Sequence, residues 1–520
     1  MKANLTPTSS PAPQPLLGAK ADTQGARFGA YITGVKECAV RLYDAEGRTL
    51  SSHPMSAVGH GYYEASVRGV RAGALYKFVL DDRVLPDPYA RSLPQGVHGP
   101  AAVPGTGYLF KSHGVVPPLA QQVIYEIHLG TFTDEGTYDA ARQHLGYLAR
   151  LGVRTLELMP VASFAGTRGW GYDGVAHYAP FTPYGSPDDL RRFVDEAHKF
   201  GLSVILDVVY NHFGPAGNYL SAYSTDYFVR GADAAATPWG EAPNFACPAM
   251  RRYAVENALY WLEEFRFDGL RLDAIHTIVD PSEEHVLREL TRKVKALGGH
   301  VLFAEDERND PAVVDTLGFD AVWADDFHHQ LRVTLTGERD GYYDAYAPGV
   351  PGIADAINGG WLYQGQIYPV TGRARGKSAM DLLAESFVYC IQNHDQIGNR
   401  AFGDRLSSAV PVEGYRAASM LLLFLPMTPL LFMGQEWAAS TPFLYFTDHE
   451  GSLGDAIARG RGEEFKRFAA FADPAARAKV PDPQKLETFD ASKLRWAEQT
   501  EAEHPGVLEL YRELLYLRRS

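Results

Sequence analysis

Two patterns of apolar and polar positions divide this chain. In its first part, short runs of alternating apolar and polar residues are separated by glycine and polar turns, for example at residues 39–43, 62–67 and 75–80. Alternation with a period of two is typical of strands that bury one face. We therefore predict an all-β, immunoglobulin-like sandwich over residues 26–111.

A different pattern begins after a stretch rich in proline and glycine that ends near residue 112. Eight β-branched apolar runs alternate there with amphipathic helical stretches, at residues 123–127, 155–159, 204–210, 269–273, 301–304, 321–323, 387–391 and 430–433. These repeats favour an α/β fold, a closed (β/α)8 TIM barrel over residues 112–520 whose last helix would be residues 505–518. An open, doubly wound sheet is the alternative, but no Gly-x-Gly-x-x-Gly motif follows the first strand, and polar clusters follow several strands rather than one.

Composition narrows the possible partners and location. Residues 1–25 are rich in serine, proline and glutamine and lack the apolar stretch of a secretion signal, so we expect a disordered tail. No window reaches the roughly 20 apolar residues needed to cross a bilayer. A net charge of -14 repels nucleic-acid phosphates, and Cys38, Cys247 and Cys390 have neither disulfide nor zinc spacing. These features predict a cytoplasmic protein with a neutral substrate and with no nucleic-acid or membrane partner.

Four polar clusters stand directly after predicted strands. They are DVVYNH (207–212), RLDAIH (271–276), AED (304–306) and NHDQ (393–396). Any one of their carboxylates alone could be a helix cap or a barrel salt bridge. Four clusters at the C-terminal ends of barrel strands, where such barrels carry their catalytic groups, instead predict one active site.

Three of these carboxylates have the properties that glycoside cleavage requires, one ionised to attack the anomeric carbon and one protonated for the leaving oxygen. Arg271 lies two residues before Asp273 on the same side of the strand, so its guanidinium should keep Asp273 ionised as the nucleophile. Glu305 follows an apolar run and precedes Asp306, and both conditions raise a pKa toward that of a working general acid/base. Asp395 would bind sugar hydroxyls most tightly in the transition state.

The four clusters, in this order and on predicted strands three, four, five and seven, resemble the four signature regions of the α-amylase superfamily, glycoside hydrolase family 13. The resemblance covers about residues 26–520, since many members that act on branched or modified glucans carry an N-terminal β-sandwich. It implies the same roles for the three carboxylates. Members usually have a further β-domain after the barrel, for which the residues up to Ser520 leave no room.

Within the superfamily, four segments resemble hydrolases that release trehalose from the end of maltooligosyl trehalose: HFGPAGNY (212–219), AEDERND (304–310), WADDFHH (323–329) and QNHDQIGNR (392–400). The last carries Gln396 where glycogen branching enzymes usually have an acidic residue. The resemblance implies a retaining hydrolase that cleaves the α-1,4 bond next to the terminal trehalose unit through a covalent intermediate on Asp273, with maltooligosyl trehalose and related α-glucans as substrates. It also implies that no metal or other cofactor is required, although Asn211 stands where many α-amylases place a calcium ligand.

Two alternatives stay open from the sequence. A 1,4-α-glucan branching or debranching enzyme of the same superfamily would release little free trehalose. A non-catalytic glucan-binding protein, which is a different class, would use the sandwich as a carbohydrate module, and Asp273→Ala would change nothing in it.

Further residues are candidates for substrate binding by their position after strands or by the resemblance. Tyr172 in WGYD (170–173) is implied to be a stacking platform for the glucose that is cleaved. Other rings could line subsites, although such rings are more often simply buried; they are Trp239, Trp323, Phe327, Trp361 and Trp437. The polar candidates, for which a loop network or a helix cap is the alternative, are His212, Arg271, His276, Asp325, Asp326, His328, His329, His394 and Gln396.

Overall fold

The computed structural model describes residues 14–105, 107–230, 240–467 and 473–519. It forms two compact units, one built from residues up to Gly107 together with Tyr219–Thr225, the other from Tyr108–Asn218 together with the residues from Asp226 onward. Residues 1–13 of the predicted tail lie outside the described residues. Gly18–Ala21 form a strand that pairs with residues 26–29, so the predicted tail is wrong there, because the backbone groups of this segment hydrogen-bond in a sheet.

The first unit is all-β, as predicted. Its strands are β1 (Gly18–Ala21), β2 (Gly25–Tyr31), β3 (Cys38–Tyr43), β4 (Thr49–Pro54), β5 (Ser56–Gly59), β6 (Tyr62–Arg68), β7 (Leu75–Leu80), β8 (Arg83–Leu85) and β9 (Ala101–Ala102). They form two antiparallel sheets, ordered β1-β2-β6-β5 and β4-β3-β7-β8, with β9 paired to β7. The buried rings of Phe28 and Tyr76, one from each sheet, meet edge to face at 4.9 Å. The apolar faces of the two sheets therefore pack together, as in a sandwich.

The second unit contains the barrel. Its strands are β10 (Ile124–Ile127), β11 (Thr155–Leu158), β12 (Ala162–Ser163), β13 (Ala176–Pro180), β14 (Ser203–Val208), β15 (Gly269–Leu272), β16 (Val301–Glu305), β17 (Ala321–Trp323), β18 (Ile367–Tyr368), β19 (Arg373–Ala374), β20 (Phe387–Cys390) and β21 (Thr428–Phe432). A closed barrel of parallel neighbours runs β10-β11-β14-β15-β16-β17-β20-β21. The eight predicted strands and the barrel topology are therefore confirmed. β12-β13 and β18-β19 are antiparallel hairpins outside it.

Helices connect most of the barrel strands. The α-helices are α1 (Leu129–Phe132), α2 (Tyr138–Arg142), α3 (Leu145–Leu151), α4 (Pro187–Lys199), α5 (Leu220–Tyr223), α6 (Pro248–Glu264), α7 (Val286–Leu297), α8 (Ala312–Asp315), α9 (Asp325–Thr336), α10 (Val350–Gly359), α11 (His394–Gly398), α12 (Leu406–Ala409), α13 (Val412–Phe424), α14 (Gly451–Glu464), α15 (Pro474–Arg477), α16 (Leu486–Asp490) and α17 (His504–Arg519). The start of α4 follows from its sequence, since Ser186 and Asp189 form a reciprocal capping box with Pro187 at the first helical position. In the described ranges, no helix has the length and apolar character to cross a membrane.

The side chains that face the barrel interior change from apolar to polar toward the C-terminal ends of the strands. Ile124 and Ile205 belong to a buried apolar cluster that fills the barrel. Two residues further along the same strands stand Glu126 and Asp207, which point to the same face because side chains alternate with a period of two. The apolar core therefore ends in a layer of charged side chains.

Candidate active site

A cavity of about 1080 Å³ opens at the C-terminal ends of the barrel strands. It is lined by Asp273, Glu305 and Asp395, which stand at or just after the ends of β15, β16 and β20. The predicted substrate-binding residues that line the same cavity are Tyr172, His212, His276, Asp325, His394 and Gln396. The structure thus brings the three predicted catalytic carboxylates into one cavity, which is large enough for an oligosaccharide segment.

Arg271 lies completely buried beneath this cavity and connects three carboxylates. Its Nη1 donates to Asp273 Oδ1 at 2.9 Å and to the two oxygens of Asp207 at 2.9 and 2.8 Å. Its Nη2 lies 2.8 Å from Glu305 Oε2, and the guanidinium stacks 4.2 Å from the centre of the Trp323 ring. The planar guanidinium therefore holds Asp273 by a directed hydrogen bond and Glu305 by a short ion pair, which fixes the two carboxyl groups relative to each other.

Glu305 also accepts a hydrogen bond from the backbone N–H of Ala274, at 2.8 Å. Ala274 adopts a left-handed backbone conformation with a φ of 39°, which costs an L-residue about 1–2 kcal/mol. Strain of this kind persists where the surrounding structure enforces it, often in active sites. Burial raises the pKa of Glu305 above its usual value, Arg271 opposes this shift, and the charge of Asp273 adds to it. A raised pKa is what a group that must deliver a proton near neutral pH requires.

Asp273 accepts a hydrogen bond on its other oxygen as well. Asn211 Nδ2 donates to Asp273 Oδ2 at 2.9 Å, and Asn211 Oδ1 lies 2.5 Å from His212 Nδ1. Burial lowers the pKa of His212. The side chain of Asn211 is therefore committed to Asp273 and His212. Within the described ranges, no three His, Cys, Asp or Glu side chains are grouped so that they could hold a metal ion.

A chain of polar contacts runs through His394. The Tyr172 hydroxyl donates to Asp207 Oδ2 at 2.6 Å and lies 2.8 Å from His394 Nε2, and the two rings stack at 5.2 Å. On the other side of the imidazole, Nδ1 contacts the Glu126 carboxylate, which also accepts the backbone N–H of His394 at 3.0 Å. Asp395 Oδ2 lies 3.4 Å from His394 Nε2. These contacts link Tyr172, the predicted stacking platform, to Asp395, the predicted transition-state carboxylate.

Comparison with known proteins places this geometry in a family. The family model for the alpha-amylase catalytic domain matches residues 83–244. The chain is 51% identical to a malto-oligosyltrehalose trehalohydrolase of Deinococcus radiodurans, over 95% of this chain and 81% of that protein. The chain belongs to the malto-oligosyltrehalose trehalohydrolase family. It is therefore a glycoside hydrolase, which confirms the class of enzyme that the sequence predicts.

A second trehalohydrolase and a solved structure are also similar to this chain. A malto-oligosyltrehalose trehalohydrolase of Rhizobium sp. (strain M-11) is 43% identical over 88% of this chain and 79% of that protein. A crystal structure of a candidate alpha amylase from Salmonella typhimurium superposes with a TM-score of 0.90 at 42% identity and covers 97% of this chain and 86% of that one. The structural comparison therefore agrees with the alpha-amylase catalytic domain, and the sequence comparison gives the trehalohydrolase family.

Two residues of this trehalohydrolase family member, Arg271 and Trp323, were wrongly predicted to contact the sugar. Arg271 is completely buried and contacts carboxylates instead. Trp323 is only 5% exposed and packs in the barrel core under that guanidinium. Buried in the same way are Phe327, Trp361 and Trp437, whereas Trp239 lies outside the described residues. These rings stabilise the fold through apolar burial, which is the more common role of aromatic side chains.

The predictions of Asp326 and His328 as sugar contacts are also wrong. Asp325 and His329 line the cavity from α9. Asp326 is fully buried and accepts hydrogen bonds from two side chains and two backbone N–H groups. His328 is buried with its Nδ1 3.0 Å from His329 Nδ1. Residues four apart share one helix face, so only Asp325 and His329 of these four residues reach the cavity.

Sequence reasoning missed part of the cavity wall. Tyr342 lines the cavity with its ring stacked on His329 at 4.6 Å, and the hairpin β18-β19 adds Tyr368 and, just beyond its second strand, Arg375. These side chains stand on long connections far from the end of any barrel strand, so no motif or periodicity marks them. Glu126 is different, because an acidic residue inside the apolar strand sequence IYEI is unusual, and that signal could have indicated its contact with His394.

Proposed function

We propose that this glycoside hydrolase cleaves the α-1,4 bond next to the terminal trehalose unit of maltooligosyl trehalose and releases trehalose and a maltooligosaccharide, with retention of configuration. The names of the relatives from Deinococcus radiodurans and Rhizobium support this substrate. The observation that carries the mechanism is the buried guanidinium of Arg271, which binds Asp273 and Glu305 at the wall of one cavity.

Asp273 is the proposed nucleophile. Its two oxygens accept hydrogen bonds from Arg271 and Asn211, which fix the orientation of the carboxylate at the cavity wall. In the first step, one carboxylate oxygen attacks the anomeric carbon of the glucose at the cleavage point. The bond from that carbon to the bridging oxygen breaks, and a covalent glucosyl ester of Asp273 forms.

Glu305 is the proposed general acid/base. Its raised pKa lets it carry the proton that it gives to the bridging oxygen as trehalose leaves. The ionised Glu305 then takes a proton from a water molecule that attacks the same carbon, the ester bond breaks, and Asp273 is ionised again. Two displacements at one carbon preserve its configuration, and in retaining enzymes the two carboxyl groups stand about 5–5.5 Å apart.

Asp395 is proposed to stabilise the transition state. Its Oδ1 accepts a hydrogen bond from Asn399 at 3.1 Å, and its Oδ2 lies 3.4 Å from His394 Nε2, so further lone pairs are available for sugar hydroxyls. Such bonds strengthen as the ring flattens toward the oxocarbenium ion. We assign ring stacking to Tyr172. Hydrogen bonds to the bound glucan are assigned to His212, His276, Asp325, His329, His394 and Gln396.

We also assign catalysis to residues 112–520, because this range contains every catalytic and binding residue named above. Residues 26–111 then form a separate β domain. A cytoplasmic location is supported by the three cysteines, which are all buried free thiols and fit a reducing compartment.

The test is an incubation with maltooligosyl trehalose followed by quantification of free trehalose. We expect trehalose and the shortened maltooligosaccharide as the only products from the wild type, and a loss on the order of 10⁴-fold or more in Asp273→Asn, because the nucleophile is removed. Asp315→Asn is the matched control, since Asp315 is exposed on α8 and outside the cavity. Branched products without free trehalose, or full activity in Asp273→Asn, would overturn the proposal.

A further inference from the structure

His394 and Glu126 form a buried contact at the base of the cavity that the proposed reaction does not yet use. Both residues are buried, and the Glu126 carboxylate receives both the ring Nδ1 and the backbone N–H of His394. Glu126 lies on β10, the first barrel strand, whereas His394 begins α11 after the seventh strand of the barrel order. A pair of buried acidic and basic side chains thus joins the first barrel strand to the connection after the seventh, past the eighth strand β21, which lies between them.

Counting the protons around the ring gives its charge. The single proton of the Tyr172 hydroxyl is donated to Asp207 Oδ2 at 2.6 Å, so the 2.8 Å contact between that hydroxyl and His394 Nε2 requires a proton on Nε2. The contact of Nδ1 with the Glu126 carboxylate requires a second ring proton, because an ionised carboxylate only accepts. An imidazole with both nitrogens protonated is a cation.

The charged and titratable groups that face this ring come from several elements. Carboxylates favour the cation and Arg271 disfavours it. Burial opposes the charge, but Asp395 and Glu126 outweigh it and raise the pKa of His394 to about 10. The acidic groups concerned are Glu126 on β10, Asp207 on β14, Glu305 on β16 and Asp395 on α11, and Glu157 on β11 faces the ring with its pKa raised well above the usual value. The other groups are Arg271 on β15, His128 directly after β10 and Tyr172 in the connection after β11.

We infer that Glu126 is a positioning residue that holds His394 as a fixed imidazolium, with Nε2–H directed at Tyr172 and Asp395. Its use in catalysis rests on the proposed function. The imidazolium can donate to Asp395, whereas a neutral ring with its proton on Nδ1 could only accept. Glu126 balances the added positive charge, so the pair does not oppose the positive charge that develops on the sugar. Glu126 acts through His394 and does not line the cavity.

The test uses two variants of the same pair of strands. Glu126→Gln removes the charge that faces Nδ1. Glu157→Gln is the matched control, because Glu157 is paired in register with Glu126, neither of its oxygens has a hydrogen-bond partner in the structure, and burial raises the pKa of its carboxyl well above the usual value. An amide in place of a neutral acid leaves the charge near His394 unchanged.

The measurement is the NMR titration of isotope-labelled histidine in the intact enzyme, with the His394 signal identified by its loss in His394→Gln. In the wild type and in Glu157→Gln, we expect an imidazolium that stays protonated to a pH near 10. In Glu126→Gln, we expect the midpoint to fall by about one to three pH units and kcat to fall roughly 10²-fold. KM should change much less than kcat.

Two results would overturn the inference: a neutral His394 in the wild type at neutral pH, or a Glu126→Gln variant with the wild-type titration and kcat. The first readout does not use Glu126→Gln, so it decides even if that variant does not fold. The proposed function is tested separately. If the wild type releases no trehalose, the substrate proposal fails, but the titration can still support the charged pair. If Glu126→Gln behaves as the wild type and Asp273→Asn is inactive, only the role of Glu126 fails.

Discussion

Replacement of Arg271 by lysine should separate the geometry of the guanidinium from its charge. Arg271 contacts Asp207, Asp273 and Glu305 through two nitrogens at 2.8–2.9 Å. A lysine keeps the positive charge but offers one nitrogen without a planar fork. It therefore cannot serve Asp273 and Glu305 in their present positions while it also neutralises Asp207.

The size of the effect follows from the bonds that are lost. A hydrogen bond to a charged group contributes about 1.5–3 kcal/mol, and the loss of one fixed donor in an active site lowers kcat by roughly 10²–10³-fold. We expect at least this loss of kcat in Arg271→Lys. The positive charge of Arg271 opposes the upward pKa shift of Glu305 and lies 2.8 Å from its carboxylate. A lysine nitrogen that stays with Asp207 and Asp273 lies farther from Glu305, so it opposes that shift less and the pKa should rise further. The basic limb of the kcat/KM profile, where the acid loses its proton, should then move to higher pH.

The assay is trehalose release as a function of pH, with thermal unfolding recorded on the same samples. Arg332→Lys is the matched control, because Arg332 is buried and its Nε lies 2.7 Å from Glu338, away from the cavity lining. It should lose stability without a shift in the pH profile. If Arg271→Lys keeps the kcat and the pH profile of Arg332→Lys, the idea that the guanidinium fixes the two carboxyl groups is refuted.

Three other substitutions test separate parts of the structure. The folded wild type holds a proton on Glu157 that the unfolded chain releases above about pH 4.5. The unfolding free energy of the wild type should therefore fall with rising pH, by up to about 1.4 kcal/mol per pH unit. Urea titrations should show that Glu157→Gln removes this slope, and equal slopes in the two proteins would contradict the prediction. Arg461 donates to the carbonyls of Gly398 at 2.7 Å and Arg400 at 3.0 Å, at the end of the helix α11 that carries Asp395. Arg461→Met should therefore lower kcat more than it raises KM in steady-state assays. An unchanged kcat would exclude a positioning role for Arg461. Asp326→Ala should cost about 3–5 kcal/mol in denaturant unfolding yet leave the KM of the folded enzyme unchanged, and a raised KM would restore Asp326 as a sugar contact.

The strand positions and the convergence of Asp273, Glu305 and Asp395 on one cavity could be predicted because local chemistry determines them. The barrel strands are short apolar runs, and the groups at their C-terminal ends must converge once the barrel closes. The two-residue spacing of Arg271 and Asp273 also fixes their common side on β15, and their 2.9 Å contact agrees with that prediction. The reach of Arg271 to Glu305 on the neighbouring strand is a consequence of the closed sheet, which no local pattern contains.

The wrong predictions have a shared cause: the sequence does not show which side of a helix or strand faces the cavity. Asp325, Asp326, His328 and His329 look alike as polar residues after a strand, and only the start of α9 at Asp325 decides which of them face the cavity. Trp323 fails for a related reason, because as the last residue of β17 it points into the barrel rather than along its rim. Side chains on long connections, such as Tyr342, are placed by tertiary packing and cannot be located from sequence alone.

The most direct measurement for a retaining cleavage next to trehalose is an early-time proton NMR spectrum of the hydrolysis of maltooligosyl trehalose. Attack by Asp273 followed by water delivered through Glu305 predicts that free trehalose and the α-anomer of the new reducing end appear together, before mutarotation produces the β-anomer. A first product in the β configuration, or a new reducing end formed without free trehalose, would contradict the assignment of Asp273, Glu305 and their substrate.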